Sequence, residues 1–131
     1  MQRFFDEPRI HDEAFFGFDW EFALTDSTDF PCADTAWRPV QLPHDWSVEY
    51  PVEEAASSCG SGGYVRTGIG WYRRTVQYAA SGRLFLCFGA VDYVADVYVN
   101  GQHAGHHQGG YSYFEVEATA LWQNGENTIE V

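Results

Sequence analysis

The chain has 131 residues, 45% of them hydrophobic and 18% aromatic, which is too apolar for a disordered chain. At that length one domain buries roughly two-thirds of the surface its unfolded form would expose. Seven basic residues against 19 acidic ones give a formal charge of -12, which repels phosphate backbones and anionic lipid headgroups and excludes nucleic acid and membrane surfaces as natural partners.

Along the chain, residues 1–7 lack the apolar core of a secretion signal, and no apolar run reaches the length of a membrane span, so a cytoplasmic setting is favoured. Phe16, Phe18, Trp20 and Phe22 alternate with Gly17, Asp19 and Glu21, the period of two that places all four aromatics on one face of a strand. Residues 25–35 have turn composition. An extended pattern resumes over 37–42, and Pro39 and Pro43 make it an edge or terminal strand. From 47 to 69 periodicity is lost, and 57–63 is a Gly/Ser stretch; a loop this long inside a compact domain is functional or disordered. Residues 71–78 alternate, with Tyr72, Val76 and Tyr78 on one face and Trp71, Arg73, Thr75 and Gln77 on the other. Residues 84–88 are apolar on both faces, as in a central sandwich strand. Asn100-Gly101 is the strongest short hairpin signal, because a primed two-residue turn needs positive φ at both positions, so 94–99 should fold back on 102–107. A short strand over 113–116, a helical turn over 118–122, a turn over 124–127 and a strand over 128–131 complete the chain. The expected fold class is all-β, an antiparallel two-sheet jelly-roll sandwich in one domain, with a core of Phe18, Trp20, Val40, Leu42, Leu84, Leu86, Phe88, Val97 and Val99.

Few constellations point to chemistry. His103, His106 and His107 are close in sequence, but strict alternation sends His106 and His107 to opposite faces, and no Cys or acidic residue stands at a ligand spacing, so no metal is expected. Cys32, Cys59 and Cys87 have no metal spacing, and their odd number leaves a free thiol. Cys87, between Leu86 and Phe88, reads as a small buried hydrophobe, and a reducing compartment fits. There is no nucleophile elbow and no phosphate-cradling glycine loop. Glu115 and Glu117 share a strand face, and Glu53 and Glu54 are adjacent, but neither pair has the apolar surroundings that raise one carboxyl for general-acid work; both read as solvated surface, with no catalytic residue and no cofactor. Sugar rings stack their C–H faces on Trp and Tyr and offer hydroxyls to polar groups, so Trp46, Tyr64, Arg66 and Trp71 around the long loop form a plausible sugar contact. Equally, Trp46 and Trp71 read as core anchors at the two ends of that loop, which leaves Tyr64 and Arg66 as the exposed pair.

Three segments carry a family pattern in order: 37–46, with Leu42-Pro43-His44-Asp45-Trp46; 68–74, with Gly68-Ile69-Gly70-Trp71-Tyr72; and 88–114, running from Phe88-Gly89-Ala90-Val91-Asp92 through Asn100-Gly101 to Gly109-Gly110-Tyr111. Together they resemble the N-terminal sugar-binding domain of family 2 glycoside hydrolases, and Gly62-Gly63-Tyr64 ahead of Gly68-Ile69-Gly70 is most similar to the β-galactosidase branch. The resemblance implies a jelly-roll domain that precedes an immunoglobulin-like domain and a TIM barrel, with the two catalytic glutamates in the barrel. It implies a carbohydrate partner of β-galactoside type, the downstream domains as further partners, and a loop of this domain at the substrate rim. Tyr64 and Arg66 are the rim candidates, with Asp45 and His44 as nearby polar groups that brace them. A free-standing lectin-like module and a purely structural docking domain are the competing expectations. Family members continue into a further strand after 128–131, so the chain is expected to be a fragment that self-associates as a homo-oligomer, through that last strand or through the face that normally meets other domains.

Overall fold

The computed structural model describes residues 16–52 and 66–131. Within them lie β1 (Trp20–Thr25), β2 (Arg38–Val40), a single 3-10 turn (Trp46–Val48), β3 (Ile69–Tyr78), β4 (Phe85–Phe88), β5 (Val94–Val99), β6 (Gln102–Gln108), β7 (Phe114–Glu117) and β8 (Gly125–Glu130). All pairings are antiparallel. They build a six-stranded sheet in the order β2-β1-β3-β8-β5-β6 and a two-stranded sheet of β4 and β7. No helix among the described residues is long and apolar enough to cross a membrane.

Alternation decides which side chains fill the space between the sheets. The inner face of the large sheet presents Trp20, Phe22, Val40, Val76, Val97, Val99 and Ile129, and the small sheet answers with Leu86, Phe114 and Val116. Leu42, Leu84 and Phe88 are half-buried against this core. On the outer face the β1–β2 loop lays Phe30 over Trp71 and Tyr98, with ring centroids 5.1 and 4.7 Å away, which explains how Trp71 is buried on that side.

The Asn100-Gly101 turn forms as expected, with φ of 53° and 75°. The side chain of Asn100 then does more than turn the chain: Nδ2 donates to the Leu121 carbonyl and to Asn127 Oδ1, each at 2.9 Å, while Oδ1 accepts the Thr128 N–H.

Four expectations change. Phe18 is 54% exposed rather than in the core, because Asp19 takes φ of 60° and breaks the extended run that would have carried the alternation back from Trp20. Phe85 and Cys87 are exposed, since β4 belongs to a two-stranded sheet with one face on the core and the other in solvent, so Cys87 is no buried hydrophobe. Residues 125–127 belong to β8 rather than to a turn, and Asn127 is buried to 1%. Residues 118–122, by contrast, form the one helical turn expected, closed by the Leu121 and Trp122 N–H groups on the Ala118 carbonyl. Finally β8 lies between β3 and β5, so residues 128–131 offer no free sheet edge for self-association.

Candidate functional site

The sequence candidates His44 and Asp45 lie on the segment that leads from β2 into the 3-10 turn, packed against Phe22 on the inner face of the large sheet. Asp45 caps the turn: its Oδ1 accepts the Ser47 N–H at 2.8 Å, and the Ser47 hydroxyl first, with that N–H second, holds its carboxyl below the usual range. Trp46 follows, stacked on Phe22 at 5.6 Å, and covers Gly70 so closely that a Cβ there would meet the indole at 2.5 Å. Glycine at 70 is therefore required by the approach of the ring rather than by backbone conformation.

His44 is held on every side. Its side chain is 9% exposed, its ring lies 4.7 Å from Phe22, and it reaches Tyr72 Oη at 2.7 Å through Nδ1 and Glu49 Oε1 at 3.0 Å through Nε2. The contact to the carboxylate assigns the proton to Nε2, which leaves Nδ1 to accept from the phenol. Burial, aided by the charges of Asp45 and Glu49, keeps the Tyr72 hydroxyl protonated far above its usual range, as a permanent donor requires. Arg38 closes the network by donating to Glu49, whose carboxyl is held low by the hydrogen bond from His44 and by Arg38. The cluster fixes the geometry of the 42–49 segment; it has no exposed nucleophile and no carboxyl raised toward neutrality.

Beyond that brace the surface begins. Trp46 Nε1 donates to the Arg66 carbonyl at 3.3 Å, and the exposed Arg66 lays its guanidinium over the Tyr50 ring at 4.9 Å. Of the four candidates, the structure thus brings His44, Asp45 and Arg66 into one neighbourhood; Tyr64 lies outside the described residues. Trp46 and Trp71 take the anchor reading, the first half-buried against the core and the second 5% exposed. Sequence reasoning missed Arg38, Glu49 and Tyr50. Tyr72 was placed on the correct face by alternation, and only its partner was hidden.

The other titratable clusters behave differently. A bulge in β6 changes register between Val97↔Gly105 and Tyr98↔His103, so His103 and His106 share the outer face, against strict alternation. Both contact the same oxygen of Asp96 at 2.9 Å, an acidic partner that lies across the hairpin instead of near in sequence. Burial raises that carboxyl, and the bonds from His106 and His103 more than reverse it. His107 faces inward, stacked on Phe114 at 4.1 Å. Among the described residues no three His, Cys, Asp or Glu side chains are arranged to hold a metal ion. Glu115 and Glu117 are exposed on β7, as read, and Glu117 pairs with Arg83 at 2.8 Å. Glu53, Glu54 and Cys59 lie outside the described residues.

Residues 4–131 match the family described as glycosyl hydrolases family 2, sugar binding domain. The chain belongs to that family. It is 34% identical over 125 residues to a putative β-glucuronidase of Formosa agariphila, covering 91% of this chain and 12% of that protein. It is 36% identical to a β-galactosidase of Bacteroides ovatus, covering 79% of this chain and 13% of the other. A crystal structure of a family 2 glycosyl hydrolase from Bacteroides cellulosilyticus superposes with a TM-score of 0.77 at 32% identity, over 88% of this chain and 16% of that one. The family 2 sugar-binding domain therefore spans about one eighth of the length of its curated relatives.

Proposed function

We propose that this domain is the non-catalytic N-terminal carbohydrate-binding part of a larger family 2 glycoside hydrolase of β-galactosidase type, where it shapes the rim of an active site built by a TIM-barrel domain against which it docks. The observation that carries the reading is Arg66. It is an exposed cation whose backbone is pinned by the Trp46 indole and whose guanidinium lies on Tyr50, on a root made rigid by His44, Glu49 and Asp45. Such a group offers hydrogen bonds to sugar hydroxyls from a fixed position, at low entropic cost on binding. Tyr64, two residues earlier in the sequence, is the aromatic residue proposed to stack on the sugar.

Relatives named as β-glucuronidases and as β-galactosidases support hydrolysis of β-glycosides by the parent protein, and the galactoside is the substrate to test first. The carboxylates of the described site support a non-catalytic role, because Asp45 and Glu49 are both held low and neither can serve as a general acid near neutrality.

In the full-length enzyme, Arg66→Ala and Tyr64→Ala should raise KM for a nitrophenyl β-galactoside about tenfold, the loss of one good hydrogen bond or stacking contact, while the melting temperature holds. His44→Ala should instead lower the melting temperature. If both rim variants keep wild-type KM and kcat, the rim assignment is wrong. Nitrophenol release by the 131-residue chain alone, abolished by substitution of one of its own carboxylates, would refute the non-catalytic role.

A further inference from the structure

Most arginines of this chain have found a carboxylate. Arg38, Arg73 and Arg83 bond Glu49, Glu21 and Glu117, and even the largely buried Arg74 stands 4.0 Å from Asp19. Arg66 differs: among the described residues it has no carboxylate within ion-pair distance, and its guanidinium meets the Tyr50 ring at 4.9 Å instead. With 19 acidic residues against seven basic ones, partners are plentiful, so the unmatched cation reflects where it is held rather than a shortage of acids.

The two carboxylates on the same brace are already engaged. Asp45 accepts from Ser47, and Glu49 is taken by Arg38 and His44. The Trp46 indole donates to the Arg66 carbonyl at 3.3 Å and fixes the root of the side chain. An aromatic ring attracts a cation through its π-face and accepts none of its N–H bonds in doing so. The donors of Arg66 therefore stay open on an exposed side chain that Tyr50 has oriented. Their planar fork fits a carboxylate bidentately, and charge-assisted bonds of that kind are roughly twice as strong as those to a neutral hydroxyl.

We propose that Arg66 is a specificity-determining residue for acidic glycans, its guanidinium reading the carboxylate of a uronate unit seated at the rim. The inference rests on the rim assignment of Arg66 and names the class of sugar met there. A rim lies on the entry side of the reacting bond, so the unit it meets is on the leaving-group side, while the galactosyl unit stays neutral.

The probes are lactose and the uronate in which C6 of its glucose is a carboxylate, each used to inhibit hydrolysis of a nitrophenyl β-galactoside by the full-length enzyme. The two differ at one carbon, so the ratio of their inhibition constants isolates the charge. In the wild type the uronate should bind about tenfold more tightly at low ionic strength, and added sodium chloride should narrow the gap. Arg66→Gln keeps an amide donor without the charge and should bring the ratio to about one, whereas Arg66→Lys should keep part of the preference. Equal inhibition by the two sugars, no inhibition by the uronate, or a preference that survives in Arg66→Gln would overturn the proposal. Any of these leaves the rim assignment to its own measure, the KM of Arg66→Ala for the nitrophenyl galactoside. A melting temperature that falls several degrees in Arg66→Gln, with the ratio unchanged, would also overturn it, because the cation would then serve an acidic side chain elsewhere in the parent protein.

Discussion

Asn127 illustrates how a polar residue earns a place in a core. Its Oδ1 accepts from Asn100 Nδ2 at 2.9 Å and from the Gln123 N–H at 2.8 Å, and its Nδ2 donates to the Gln123 and Gly125 carbonyls. Nothing is left unmet, so 1% exposure carries no desolvation penalty. Asn127→Ala strands several of these partners at once and should cost on the order of 3 kcal/mol in chemical denaturation; a cost below about 1 kcal/mol would mean that the network is not formed in solution. The same residue was misread from sequence as part of a turn, because Asn-Gly-Glu-Asn has turn composition and its partner Asn100 lies 27 positions away. Arg38 and Glu49 were invisible to sequence reasoning for the same reason: they matter through His44, not through a pattern of their own. A second test at this scale concerns pH. Arg83, with help from Thr119, pulls the Glu117 carboxyl from its ordinary 4.5 down to about 2. A carboxyl depressed on folding stabilises above its unfolded value and loses that contribution as pH falls through the folded one. Glu117→Gln should therefore melt slightly below wild type at pH 7, with the difference closing between about pH 4.5 and about pH 2. A difference that stays constant across that window would show that the bridge does not form.

At the scale of the element, the informative failures are those of periodicity. Alternation assigned the faces of β3 correctly, because that run is unbroken, and of the expected core residues it placed Trp20, Val40, Leu86, Val97 and Val99 in the buried interior, with Leu42, Leu84 and Phe88 at its margin. It failed where one residue interrupts the run, at Asp19 before β1 and at the bulge in β6. Neither break is written in local composition, since Asp at positive φ and a bulge at Ala104-Gly105 are imposed by what packs across from them. At Gly105 the packing can be named. A Cβ there would stand 2.8 and 2.9 Å from the two methyls of Val116, so the glycine lets β7 close on β6 where the two sheets meet. Gly105→Ala should cost about 1 to 3 kcal/mol through overpacking. Pairing it with Val116→Ala should recover part of that loss, because the two residues compete for one space. If the double variant is the sum of the singles, the clash is not the cause.

At the scale of the whole sandwich, the described residues are organised around β8. β8 lies between β3 and β5, so the six-stranded sheet is two unconnected pieces, β2-β1-β3 and β5-β6, until residues 125–130 insert between them. The family resemblance gave the fold from short motifs, yet motifs say nothing of strand order, and an end strand was expected at an edge; only long-range pairing shows it at the centre. Two consequences follow for assembly. Self-association through residues 128–131 is closed off by their neighbours; the edges of the six-stranded sheet are β2, shortened by Pro39, and β6, distorted by its bulge, both poor templates for another chain, while β4 and β7, of four residues each, keep one open edge apiece. Cooperativity also depends on β8. It contributes Ile129 and Asn127 to the core, holds six register pairs with β3, and supplies Thr128 to the Asn100 hairpin. A chain ending after Asn124 should therefore lose its unfolding transition altogether, rather than melt a few degrees lower as it would on loss of a peripheral strand. Calorimetry reads this directly: no heat-absorption peak is expected for the truncated chain, and its return is expected when a peptide of residues 125–131 is added in excess, since the peptide restores the missing centre. A truncated chain that still unfolds with a sharp transition would show that the two pieces of the sheet are stable without the strand that joins them.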